Sequence, residues 1–86
     1  MLTAEMKQKI IDILCRILPI EEKDIREMTT FEDMMADSLD QVEILLAIER
    51  EFSIRIPDDD FATVKTFGEL CDVVEKYWEI FKGMLK

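Results

Sequence analysis

Apolar side chains return at steps of three and four along most of this chain, and no alternating β-branched run accompanies them. Met6, Ile10, Ile13, Leu14 and Ile17 form one such series, and Phe67, Leu70, Val74, Tyr77 and Phe81 form another. A 3.6-residue period puts each series on one face of a helix, and that face must be buried against a neighbour. With only two Gly and two Pro to interrupt it, the chain is predicted to be all-α.

Local signals divide the helices. Thr3 can cap the first, and Pro19 ends it. Asp37 can cap a second that runs to about Phe52, its carboxylate accepting from the N–H of Asp40. Pro57 introduces a short turn of helix over Asp58 to Ala62. Thr66 and Glu69 have capping-box spacing before the last helix, and Gly83 is the expected stop. These signals predict a small four-helix bundle of three longer helices and one short one, a single domain over residues 1–86. Residues 19–36 form a long loop between the first and second helices. Its apolar residues Ile20, Ile25, Met28, Phe31, Met34 and Met35 are expected to pin it to the core.

Composition excludes several functions. The absence of His removes His-based catalysis and imidazole metal sites. A net charge of −9 with no basic stripe excludes nucleic acid as a partner. The longest apolar run, Ile44 to Ile48, is far too short for a membrane span. Helical pattern from Thr3 onward leaves no room for a targeting peptide. Cys15 and Cys71 suit small core positions in a reducing compartment, so the expected location is cytoplasmic. No metal site is expected: Asp58, Asp59, Asp60 and Glu69 suggest a calcium loop, but Ala62 and Thr63 stand where an oxygen ligand and a Gly are needed.

The acidity is concentrated. Residues 37–60 hold 8 acids and 2 bases, which is two thirds of the net charge in 24 residues. Within that segment the second helix has more apolar surface than a core needs. On a wheel of about 100° per residue, Ile44, Leu45, Ile48 and Phe52 make a compact core stripe. Leu39, Val42 and Leu46 make a second strip, with Glu49 and Glu43 on its flanks. Flanking carboxylates are costly beside a fully buried strip, so these three side chains are predicted to be partly exposed. An apolar strip with acidic rims suits transient docking of a protein partner. Ser38 stands at the top of this face, at a helix N-terminus that favours an anion. Asp37 and Asp40 make its surroundings electronegative, so it is not a self-activated nucleophile. Modification by another enzyme is the chemistry that fits.

The stretch FEDMMADSLDQVEILLAIEREF, Phe31 to Phe52, followed by Ile56, Pro57 and Asp58, resembles the central region of the acyl carrier proteins. The resemblance implies that Ser38 receives 4′-phosphopantetheine from a phosphopantetheinyl transferase with coenzyme A as donor. It implies that Asp37 and Leu39 are the flanks the transferase reads. Asp40, Val42, Glu43, Leu46, Glu49 and Glu51 would then dock on basic patches of acyl-loading and chain-elongating enzymes. The arm's thiol would hold acyl chains as thioesters, in fatty-acid or polyketide-type synthesis, on a carrier that is not itself a catalyst and is expected to be monomeric. Met28, Met34 and Met35 would supply a deformable lining for the chain. Met35 stands where that family usually has Gly, and Arg50 and Arg55 put positive charge on a surface that is usually acidic. The heavy aromatic tail, Tyr77, Trp78 and Phe81, could cover extra apolar surface. A carrier of aminoacyl or other specialised cargo, and a non-carrying helical adaptor, are the alternatives.

Overall fold

The computed structural model describes residues 2–84. Four α-helices follow in order: α1, Ala4–Ile17; α2, Ser38–Phe52; α3, Asp58–Ala62; and α4, Phe67–Met84, with one turn of 3-10 helix at Glu22–Asp24. Each boundary has a local cause. The Thr3 hydroxyl accepts from the N–H of Met6 at 3.1 Å, and Leu18 is extended, as the ring of Pro19 requires. Ser53 closes α2 in the left-handed region, and Pro57 stands immediately before α3. The Thr66 hydroxyl accepts from the N–H of Glu69, whose carboxylate accepts in return from the N–H groups of Thr66 and Lys65. Gly83 is not the stop expected of it. The helix continues through it to Met84, because no glycine here takes the positive φ that a helix-ending glycine uses.

One apolar core draws on every long helix. Ile10, Ile13 and Leu14 of α1 meet Ile44, Leu45, Ile48 and Phe52 of α2, and Phe67, Leu70, Cys71 and Val74 of α4. No polar or charged residue is buried among those described, so the interior holds no concealed chemistry. α3 is fastened to α4 at the surface, where the Tyr77 hydroxyl donates to the Asp60 carboxylate and Lys76 Nζ lies 3.6 Å from it.

The long first connection is held more firmly than its irregular pattern suggests. Phe31 and Met34 are buried, and the backbone is bonded to Lys65, just before α4, and to the first turn of α4. Phe31 N–H donates to the Lys65 carbonyl at 3.1 Å, Phe67 N–H to Thr29 at 2.9 Å, and Gly68 N–H to Glu27 at 2.9 Å. A Cβ on Gly68 would lie 2.5 Å from Glu27 Oε2 and 3.0 Å from its carbonyl oxygen, so glycine is what permits this approach. The expected methionine lining is overturned. Met28 and Met35 are 79% and 74% exposed, and only Met34 reaches the core. Met28 is carried out by the tight turn in which Thr29 N–H bonds the Arg26 carbonyl, and Met35 by a left-handed backbone, φ 59°.

Candidate functional site

The acidic segment folds so that Ser38 is the first helical residue of α2 and Asp37 is its cap. Asp37 Oδ1 accepts from the Asp40 N–H at 2.8 Å, and Asp40 Oδ2 accepts from the Asp37 N–H at 3.2 Å. This reciprocal pair fixes the path of the chain into the helix. It also bonds one oxygen of each carboxylate to backbone, and neither carboxylate hydrogen-bonds the Ser38 hydroxyl. Among the described residues no side chain hydrogen-bonds that hydroxyl, which is exposed to solvent. The positive end of a fifteen-residue helix lies directly behind it. An exposed hydroxyl in that position can carry a phosphodiester, whose negative charge is favoured by the free N–H groups of the first turn.

Met35 belongs to this neighbourhood. It lies three residues before Ser38 in the left-handed region, and Met35 N–H bonds the Glu32 carbonyl while Ala36 N–H bonds that of Phe31. Glycine enters this region without cost and methionine does not, which explains physically why the resembling sequences use Gly there. The loop keeps the path that a glycine would take.

Below Ser38 the two apolar faces of α2 separate. Ile44, Leu45, Ile48 and Phe52 are buried, while Leu39 is 74% exposed and Val42 and Leu46 are each 52% exposed. The acids distribute unevenly around this strip. Asp40 is engaged in the cap, and Glu43 is exposed on the flank facing α1. Glu49 is half-buried and its Oε2 accepts from the Ile56 N–H at 2.8 Å, so it ties α2 to the segment leading into α3. Glu51 lies well around the helix, 3.6 Å from Lys9 Nζ of α1. The structure therefore brings Asp37, Ser38, Leu39, Asp40, Val42, Glu43 and Leu46 together and leaves Glu51 on another side.

A groove missed by the sequence reading completes the face. Val42 and Leu46 of α2, the Arg55–Pro57 segment, and Tyr77, Ile80 and Phe81 of α4 surround an open volume of about 860 Å³. Ile80 is 46% exposed. Two of the tail aromatics thus line this groove instead of covering the strip, while Trp78 packs beside Met6 and Phe52 on a different side. The pairing of α2 with the far end of α4 depends on tertiary packing, so only the exposed α2 strip could have signalled it.

The two cysteines are chemically quiet. Burial pushes the Cys71 thiol up to about 11, and burial together with Glu22 and Asp12 raises that of Cys15. Neither supplies a thiolate near neutral pH. No helix among the described residues is long and apolar enough to cross a membrane.

Residues 8–74 match the sequence family described as the phosphopantetheine attachment site. Acyl carrier proteins of two strains of Porphyromonas gingivalis, ATCC 33277 and W83, are each 39% identical over 74 residues, covering 85% of this chain and 95% of theirs. The crystal structure of an acyl carrier protein from Thermotoga maritima superposes with a TM-score of 0.77 at 26% identity, covering 91% of this chain and 95% of that one. The acyl carrier protein from Enterococcus faecalis, described for its high thermal stability, superposes with a TM-score of 0.73 at 28% identity over 85% of this chain and 94% of its own.

Proposed function

This chain belongs to the acyl carrier protein family, whose cofactor is 4′-phosphopantetheine, and on that premise we propose that Ser38 is the residue to which the arm is joined. The observation that carries the reading is the exposed Ser38 hydroxyl at the N-terminus of α2, held there by the Asp37 and Asp40 pair. The protein is a carrier and not a catalyst, and its own residues supply presentation, not activation. With neither neighbouring carboxylate bonded to it, the Ser38 hydroxyl would pass its proton to a base on the phosphopantetheinyl transferase as its oxygen attacks the pyrophosphate of coenzyme A; the new phosphoester bond forms as the pyrophosphate bond breaks and adenosine 3′,5′-bisphosphate leaves. The exposed Leu39 and the fixed Asp37 are the flanks this transferase reads.

Once attached, the arm supplies a thiol that holds acyl groups as thioesters. The chain's contribution is then to be recognised. Leu39, Val42 and Leu46 give partner enzymes an apolar contact, and Asp40 and Glu43 steer them through basic patches. Serving several enzymes in turn favours fast encounter and modest affinity, which charge at the rim of a small apolar strip provides. Such partners are the acyl-loading and chain-elongating enzymes of the cytoplasm, acting on a monomeric carrier.

The test is the intact mass of the protein after incubation with coenzyme A and a phosphopantetheinyl transferase. The wild-type chain is expected to gain one arm and Ser38→Ala none. An unmodified wild-type chain would favour a non-carrying adaptor, and a modified Ser38→Ala would move the attachment elsewhere.

A further inference from the structure

Three large apolar side chains among the described residues are at least 74% exposed, Met28, Met35 and Leu39, and two of them bracket Ser38. Met35 lies three residues before it and Leu39 one after. The chain that leads into α2 alternates: Met34 and Ala36 are buried, whereas Met35, Asp37 and Ser38 face solvent. Three residues of fully extended chain span at most about 11 Å, so the Cα atoms of Met35 and Ser38 are no farther apart than that. The exposed neighbours of Met35 are the acids Glu32, Asp33 and Asp37, which leaves it as the apolar point of the loop beside the attachment site. The docking strip of α2 uses Leu39 but not Met35, whose left-handed backbone is disfavoured and whose side chain gains little packing in the free chain.

The chemistry of attachment chooses what covers such a side chain. An enzyme that joins the arm must bring its reacting groups onto the Ser38 oxygen itself, whereas an enzyme that works on the thiol meets it at the far end of the arm. An interface of ordinary size, about 800 Å² on each partner, reaches about 16 Å from its centre, so a transferase centred on Ser38 covers Met35 as well. The thioether suits that contact, because an unbranched side chain with three rotatable bonds adapts to an irregular apolar surface.

We propose that Met35 is a specificity-determining contact for the phosphopantetheinyl transferase, its side chain entering an apolar recess of the enzyme as Ser38 enters the active site. The side chain at this position then sets how well the enzyme distinguishes this carrier from one with a polar residue there.

This inference deepens the assignment of Ser38 and rests on it. The measurement is the rate of arm transfer from coenzyme A by a phosphopantetheinyl transferase, followed by intact mass over a range of carrier concentrations, for wild type, M35N, M35L and M28N. Asn tolerates the left-handed region, so M35N removes the apolar contact while keeping the path of the loop, and M35L keeps the contact. Met28 is as exposed as Met35 but sits in the turn that Glu27 and Thr29 bind to the first turn of α4. M35N is expected to lose about tenfold in kcat/KM through a higher KM for the carrier, with kcat and the KM for coenzyme A unchanged. M35L and M28N are expected to stay within about twofold of wild type. An unchanged rate for M35N, equal losses in M35N and M35L, or an equal loss in M28N would overturn the contact and leave Ser38 standing as the attachment site. Failure of every form to gain an arm, wild type included, would remove the assignment of Ser38 and the role of Met35 together.

Discussion

Met35 shows how a single residue can keep a path while departing from a pattern. Its φ of 59° is a conformation that costs a side-chain-bearing residue about 1 to 2 kcal/mol. Its thioether is too exposed to recover that cost by packing. Met35→Gly is therefore expected to raise stability by about 0.5 to 1 kcal/mol after the larger unfolded-state entropy of glycine is allowed for. A higher urea midpoint at unchanged m-value would bear this out, and an unchanged or lower midpoint would show that Met35 is not strained. At this scale the cap at Asp37, the place of Ser38 beside it and the exposure of Leu39, Val42 and Leu46 were legible in the sequence, because a cap and a helical face are local properties. It did not reveal that Glu49 ties down Ile56, since a wheel places a side chain on a face but contains no loop for it to reach. For the same reason Glu51 was grouped with the strip, although Lys9 of a different helix claims it.

Among the elements, α2 must satisfy two opposite demands, and the substitutions that separate them are specific. Ile48 is fully buried and Leu46 is half-exposed one turn's fraction away. Ile48→Ala should cost about 2 to 5 kcal/mol of stability, whereas Leu46→Ala should cost under about 1 kcal/mol and weaken partner association instead. Thermal melts beside a binding assay would separate the two, and equal losses of stability would mean that the strip belongs to the core. The contact between α3 and α4 and the first turn of α4 carry a different signature. Asp60 is held below the ordinary 3.8 of its carboxyl by the Tyr77 hydroxyl and then Lys76, and Glu69 below its ordinary 4.5 by the N–H groups of Lys65 and Thr66. A carboxyl whose pKa falls on folding stabilises the protein above its unfolded pKa, and that stability is lost as pH falls through the folded value. Stability from these two groups is thus complete above about pH 5 and declines from about pH 4 downward. Asp60→Asn and Glu69→Gln should melt below wild type at pH 7 and converge on it near the acid limit, and a gap that stays constant with pH would contradict the assignment. Starts of helices were legible because their capping residues are neighbours in sequence. The end of α4 and the course of residues 19–36 were not. The first needs an actual backbone conformation at Gly83, and the second depends on hydrogen bonds to Lys65, Phe67 and Gly68, far along the chain.

For the molecule as a whole, the excess of acid is an arrangement more than a sum. The core holds no charge, five lysines lie against carboxylates, and the acid that flanks the exposed strip of α2 is gathered around Ser38. The concentration of acid was legible from a count along the chain. The groove between α2 and α4 was not, because it exists only once Tyr77, Ile80 and Phe81 are brought beside Val42 and Leu46. All of this serves a carrier only if the arm is joined at one place. The chain has two serines, Ser38 and Ser53, and tryptic cleavage after Arg26 and Arg50 isolates the first in a peptide of its own. Fragmentation mass spectrometry of the transferase-treated protein should therefore place a single arm on Ser38 within the Glu27 to Arg50 peptide. An arm on Ser53, or a Glu27 to Arg50 peptide of unchanged mass, would contradict the account.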